Sequence, residues 1–112
     1  MKEKILIVED EKSIAELLES YLINEGYDVQ IAVVGFDGIS TFNEWEPHLV
    51  VLDRMLPDIS GDQVCEEIRK VSQLPILMLT AKSDESARIE GFEMGVDEYV
   101  TKPFSAKEVV YR

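Results

Sequence analysis

The chain has 112 residues, 46% hydrophobic and 30% charged, with a net charge of −12 from 23 acidic and 11 basic residues. That length suits one compact domain over residues 1–112, and no apolar run approaches the ~20 residues that cross a bilayer. The acidity excludes a surface that grips nucleic-acid phosphates, and the single Cys65 excludes an internal disulfide, so a cytoplasmic location is expected, with no membrane association.

The predicted elements alternate strand and helix. Ile5-Leu6-Ile7-Val8 is a buried strand, bounded abruptly by Glu9, Asp10 and Glu11. Ile14, Leu17, Leu18, Tyr21 and Leu22 are spaced for one face of a helix, with Ser13 and Glu16 as a capping box and Gly26 at its end. Val29, Ile31 and Val33 alternate as in a half-buried or edge strand. Phe36, Ile39 and Phe42 mark a weaker helix that ends before Pro47. Leu49-Val50-Val51-Leu52 is the next buried strand, ended by Asp53. A loop with Pro57 and Gly61 follows, then a short helix with Val64, Cys65, Ile68 and Val71 inward. Pro75 opens the strand Ile76-Leu77-Met78-Leu79, ended by Thr80. A helix through Ala87, Ile89 and Phe92 stops at Gly95, and Tyr99-Val100-Thr101 is a last strand, ended by Lys102-Pro103. Ser105 starts a final helix, with Glu108 as the partner of a second capping box. Five such units with continuous apolar strands predict an α/β fold: a doubly wound five-stranded parallel sheet in the order 2-1-3-4-5.

Ligands of such sheets bind beyond the carboxyl ends of the strands, beside the switch point between strands 1 and 3. Glu9, Asp10, Asp53, Thr80 and Lys102 all fall at that edge. Singly, each has a plainer explanation, since acids and threonines after strands ordinarily cap helices. Together they are harder to dismiss, because two carboxylates ~4 Å apart repel by about 4 kcal/mol at an effective dielectric of ~20. A hard cation with oxygen ligands offsets that cost, and magnesium takes one or two carboxylates, waters and a phosphate. Asp53 is then both ligand and nucleophile, with Lys102 neutralising the transferring oxygens and Thr80 donating to them. From the residues alone the reading stops at a phosphoryl or metal site.

Val8-Glu9-Asp10-Glu11, Leu52-Asp53-Arg54-Met55-Leu56-Pro57 with Gly61, Leu79-Thr80-Ala81 and Tyr99-Val100-Thr101-Lys102-Pro103-Phe104 together resemble bacterial response-regulator receiver domains. The resemblance covers essentially the whole chain. It implies a flavodoxin-like fold and phosphorylation of Asp53 by a partner sensor histidine kinase or by small phosphodonors. It implies Mg2+, with Mn2+ able to substitute, bound through Asp10, Asp53 and the Met55 backbone carbonyl, with Glu9 acting through water. Lys102 pairs with Asp53 and then with the phosphoryl group, and small Ala81 leaves that group accessible. Thr80 and Tyr99 form a switch pair, and Lys102-Pro103 is a cis peptide. A receiver catalyses its own phosphorylation and dephosphorylation and is no conventional turnover enzyme.

The Thr-Lys-Pro-Phe-Ser ending with Glu108 and Arg112 resembles the OmpR/PhoB-type subfamily of two-component transcription factors. It implies a homodimer through the fourth helix, fifth strand and fifth helix, using Arg88 with Glu108 and Asp97 or Glu98 with Arg112. The plainer reading of those charges is a solvated face, since exposed ion pairs contribute ~0–1 kcal/mol each. The helix from Ser105 has room for about two turns, shorter than in relatives, so a C-terminal DNA-binding domain is expected in the full-length protein. Arg54, at a position commonly hydrophobic in relatives, brings a cation beside Asp53. Cys65 is read as a small core residue, His48 as structural and Trp45 as packing.

Two other functions fit less well. A phosphate-independent interaction module, stand-alone and without DNA-binding output, keeps the fold but has no need of the acidic set. A metal-dependent phosphatase carries a second aspartate two places after its nucleophile, where this chain has Met55.

Overall fold

The computed structural model describes residues 3–81 and 98–102, with residues 80, 81 and 98–102 described by backbone alone. The elements are β1 (Lys4–Val8), α1 (Lys12–Asn24), β2 (Asp28–Ala32), α2 (Gly35–Trp45), β3 (Leu49–Asp53), α3 (Gly61–Arg69), β4 (Ile76–Ala81) and β5 (Glu98–Lys102). The strands lie in the order β2-β1-β3-β4-β5, every neighbouring pair parallel. The helices expected between Ala87 and Gly95 and from Ser105 onward lie outside the described residues.

The sheet divides the core in two, because successive side chains of a strand point to opposite faces. Leu6, Val8, Val50, Leu52, Ile76 and Met78 face α2 and α3, where Phe42, Val64, Cys65 and Ile68 meet them. Ile5, Ile7, Val51, Leu77 and Leu79 face the other way, against Ala15, Leu18 and Leu22 of α1. Burial on both sides is why these strands read as unbroken apolar runs. Each fully buried Val, Leu or Ile contributes about 1.5–3 kcal/mol relative to an exposed one. β2 lies at one edge of the sheet, which suits its alternating burial.

The helices depart from the pattern in informative ways. α1 begins at Lys12 with Glu11 as N-cap and no side-chain cap hydrogen bond, so Ser13 lies inside the helix and the expected capping box does not form. Its other end is as expected. Gly26 takes φ of 99°, its N–H donates to the Ile23 carbonyl and the Tyr27 N–H donates to the Leu22 carbonyl. Those two bonds satisfy carbonyls that a helix end leaves over. Among the described residues, a capping box forms at α3. The Ser60 hydroxyl accepts from the Gln63 N–H at 3.2 Å, and the Ser60 N–H donates to Gln63 Oε1 at 3.1 Å.

Three residues expected to face inward do not. Leu17, Phe36 and Val71 are exposed, and Ala15, Gly38 and Gly35 are buried instead. Gly38 explains the shift in α2, since a Cβ there would lie 2.9 Å from a Val8 methyl. The helix backbone thus rests directly on β1, and Phe36 turns out to solvent.

The amino edge of the sheet is closed by a polar clamp. The Lys4 N–H donates to His48 Nδ1 at 2.9 Å, and the His48 N–H donates back to the Lys4 carbonyl at 2.8 Å. Lys4 Nζ donates to the Trp45 carbonyl at 2.6 Å and stands 5.5 Å from the Trp45 ring centre. His48 and Trp45 are structural, as their sequence positions indicate.

Candidate functional site

The switch point of the sheet falls between β1 and β3, and their carboxyl ends carry the acids. Val8 is level with Leu52, so Glu9 and Asp53 stand side by side, one residue further along each strand. Glu9 is wholly buried, Asp53 is 4% exposed and Asp10 is open to solvent. Carboxylate oxygens of these three residues come within 4.8 Å of one another.

Backbone donors orient two of them. The Glu11 N–H donates to Glu9 Oε2 and the Met55 N–H donates to Asp53 Oδ1, each at 3.2 Å. The strands themselves hold the positions: the Glu9 N–H donates to the Ala32 carbonyl and the Arg54 N–H to the Leu79 carbonyl. Two buried carboxylates and one open one form an all-oxygen donor set, accessible from one side. Such a set fits a hard divalent cation that keeps several waters.

Asp53 is level with Leu79, and Thr80 follows it in β4. Thr80 is in turn level with Thr101, and Ala81 with Lys102. The backbone therefore brings Thr80 and Lys102 to the same edge as the acids. The side chains of Thr80, Tyr99, Glu98 and Lys102, and all of Arg88, Asp97, Pro103, Glu108 and Arg112, lie outside the described residues.

The loop after β3 holds features that periodicity does not reveal. Gly61 opens α3 directly against the end of β3: a Cβ there would lie 2.3 Å from the Asp53 carbonyl oxygen and 2.7 Å from Arg54 Cα. Only glycine fits that approach, and the Gly61 N–H donates to the Arg54 carbonyl at 2.8 Å. Arg54 Nε and Nη2 both donate to Asp62 Oδ2, at 3.2 and 3.1 Å. The cation beside Asp53 is thus engaged by an acid in the first turn of α3, in a pair whose side chains are only 17% and 23% exposed. Asp58 reaches the start of α2, where its Oδ1 accepts from the Gly35 N–H at 2.7 Å and its Oδ2 from the Phe36 N–H at 2.9 Å. Partial desolvation raises the Asp58 carboxyl pKa, but the N–H groups of Phe36, Gly35, Ile59 and Asp58 together outweigh it and hold it below the usual value.

The family model for the response regulator receiver domain matches residues 5–112. The chain belongs to that family. A structure from Chloroflexus aurantiacus assigned as a response regulator is 40% identical to this receiver, with a TM-score of 0.94, covering 100% of this chain and 94% of that one. DrrB of Thermotoga maritima, described as an OmpR/PhoB homolog, is 36% identical with a TM-score of 0.91. It covers 100% of this receiver, which spans 51% of the DrrB chain. The Vibrio cholerae chemotaxis protein CheY4 is 26% identical with a TM-score of 0.92, covering 99% of this chain and 95% of that one. Receiver domains of response regulators interact with histidine kinases, generally bind Mg2+ in an acidic pocket and switch by phosphorylation. Among the described residues, no helix is long and apolar enough to cross a membrane.

Proposed function

We propose that this receiver accepts a phosphoryl group on Asp53 from a sensor histidine kinase and relays the added charge to a transcriptional output. The observation that carries this reading is the meeting of the Glu9, Asp10 and Asp53 carboxylates within 4.8 Å at the switch point of the sheet. In the transfer, an Asp53 carboxylate oxygen attacks the phosphorus of a phosphohistidine. A P–O bond forms as the P–N bond breaks, and the departing imidazole takes a proton from solvent. Magnesium, with manganese able to substitute, would be held by Asp10, Asp53, the Met55 carbonyl and Glu9 through water, and supplies positive charge to the transferring oxygens. The Met55 N–H donates to Asp53 Oδ1 and so helps to orient the carboxylate. Lys102 pairs with the phosphoryl group and Thr80 donates a hydrogen bond to it, with Tyr99 turning inward behind Thr80 as the second half of the switch. A cis Lys102–Pro103 peptide belongs to the same reading. Water later hydrolyses the acyl phosphate, so the domain governs its own signal lifetime.

The output we assign is of the OmpR/PhoB type: a homodimer on phosphorylation, through Arg88 with Glu108 and Asp97 or Glu98 with Arg112, driving a DNA-binding domain. Similarity to DrrB along 51% of its chain supports it. Two measurements test the whole. Incubation with acetyl phosphate and magnesium is expected to add the mass of one phosphoryl group to the wild type and none to Asp53→Asn; equal labelling of both overturns the assignment. Sedimentation with and without a phosphoryl mimic is expected to show a dimer only with it, and an unchanged monomer rejects the dimer.

A further inference from the structure

The loop between β3 and α3 is held at its base and at its far side by different means. At the base, the Gly61 N–H closes onto the Arg54 carbonyl and the Arg54 guanidinium onto Asp62. At the far side, Asp58 reaches across 23 positions of sequence to the first two N–H groups of α2. That helix has Val34 at its N-cap, with no side-chain hydrogen bond of its own. Asp58 therefore supplies from a distant loop what a local serine or aspartate ordinarily supplies. The contact is apolar as well as polar, since a Cβ on Gly35 would lie 2.5 Å from Ile59 Cγ1.

Met55 sits on this loop and is 72% exposed. Packing of its side chain does little to place the residue. Its backbone position depends on the Asp53 carboxylate that its N–H contacts and on the restraints further round the loop. Partners that orient a metal's ligands commonly change its affinity by about tenfold or more.

We propose that Asp58 is a positioning residue for the metal site: by tying the loop to the start of α2, it holds the Met55 carbonyl where a cation shared by Asp10 and Asp53 can meet it. This rests on the reading above, that these residues bind magnesium. The depressed Asp58 pKa agrees with the geometry, because it keeps both oxygens available as acceptors. One consequence is reciprocal. A cation that draws the loop inward steadies the amino end of α2, although that helix contributes no ligand.

Magnesium titration by calorimetry tests the proposal on wild type, Asp58→Asn and Asp58→Ala, each at low salt and at ~0.5 M salt, where bare charge effects are screened. Asp58→Ala is expected to weaken magnesium binding about tenfold at both salt levels. Asp58→Asn keeps one acceptor oxygen and is expected to fall between. Ile68→Val serves as a core variant that lowers thermal stability without touching the loop, and its magnesium affinity should match the wild type. Equal weakening by Asn and Ala that vanishes in salt would assign the effect to charge alone and overturn the positioning role. So would unchanged affinity in Asp58→Ala, or equal weakening in Ile68→Val. If Asp58→Ala does not fold, the Asn variant and its salt dependence still decide. Failure of the wild type to bind magnesium would instead bring down the site reading itself, and the proposal with it.

Discussion

At the amino edge of the sheet, Lys4 and His48 exchange backbone and ring hydrogen bonds, and Arg69 Nη1 donates to the Ser72 and Leu74 carbonyls on the way to β4. At the carboxyl edge, Glu9, Asp10 and Asp53 converge on one another. The first arrangement lowers the energy of the folded chain by itself. The second sets like charges together where a cation is proposed to bind. One sheet thus carries a stabilising end and a functional end, and substitutions at the two should differ in sign as well as size.

The largest effect expected is at the functional end but is purely steric. Gly61→Ala pushes a methyl group into the Asp53 carbonyl and Arg54 backbone, and should destabilise by about 3 kcal/mol, because backbone cannot yield as a side chain does. Urea unfolding measures it, and a loss within experimental error would show that α3 can slide away from β3. Next is a gain. Without divalent cations, Glu9→Gln should raise stability by about 1–2 kcal/mol, since it removes one of two buried, adjacent charges. Magnesium at 100 times its Kd should then stabilise the wild type by ~2.7 kcal/mol and reverse the order. Thermal melts with chelator and with magnesium check both signs, and a Glu9→Gln protein less stable in chelator would deny that the acids repel.

His48→Ala, at the opposite edge, should cost roughly 0.5–1 kcal/mol, the loss of one hydrogen bond at an exposed position. Its magnesium affinity should not move, and a change there would break the separation of the two ends. The smallest effect is confined to acid. The Asp58 carboxyl has a folded pKa below its ordinary value, so its contribution is fully present above that ordinary value and is lost as pH falls through the lowered one. Wild type should therefore exceed Asp58→Asn in stability at neutral pH, and the gap should close below about pH 4. Melts between pH 3 and pH 7 follow it.

Much of this was legible in the sequence, and the parts that were not share a cause. Buried parallel strands need apolar residues on both faces, so Ile5–Val8, Leu49–Leu52 and Ile76–Leu79 could hardly be missed, nor could the acids that end two of them. Helix faces were harder, because an apolar stripe shows its spacing and not its centre. Leu17, Phe36 and Val71 fit the spacing yet lie on the outer side of an edge that Ala15, Gly38 and Ile68 define. Gly38 and Gly61 are decided by what approaches them, which lies 30 and 8 residues away in sequence at Val8 and Asp53. Asp58 and Asp62 carry no signal of their own in the sequence, since their partners, Gly35 with Phe36 and Arg54, become neighbours only after the loop has closed. The box of Ser60 and Gln63 had a readable signal, a serine with glutamine three residues on.

The two apolar layers carry one more consequence. A strand buried on a single face cannot slip by one residue without turning its apolar side to water, but a strand buried on both faces merely exchanges one layer for the other. The middle of this sheet therefore gives folding little to measure by. The polar ends do. A slip of β3 in one direction would bring Asp53 level with Val8 and Met78 in the core, and in the other would pull His48 away from Lys4. The carboxylates that make the site also act as stops that let each strand seat in one place.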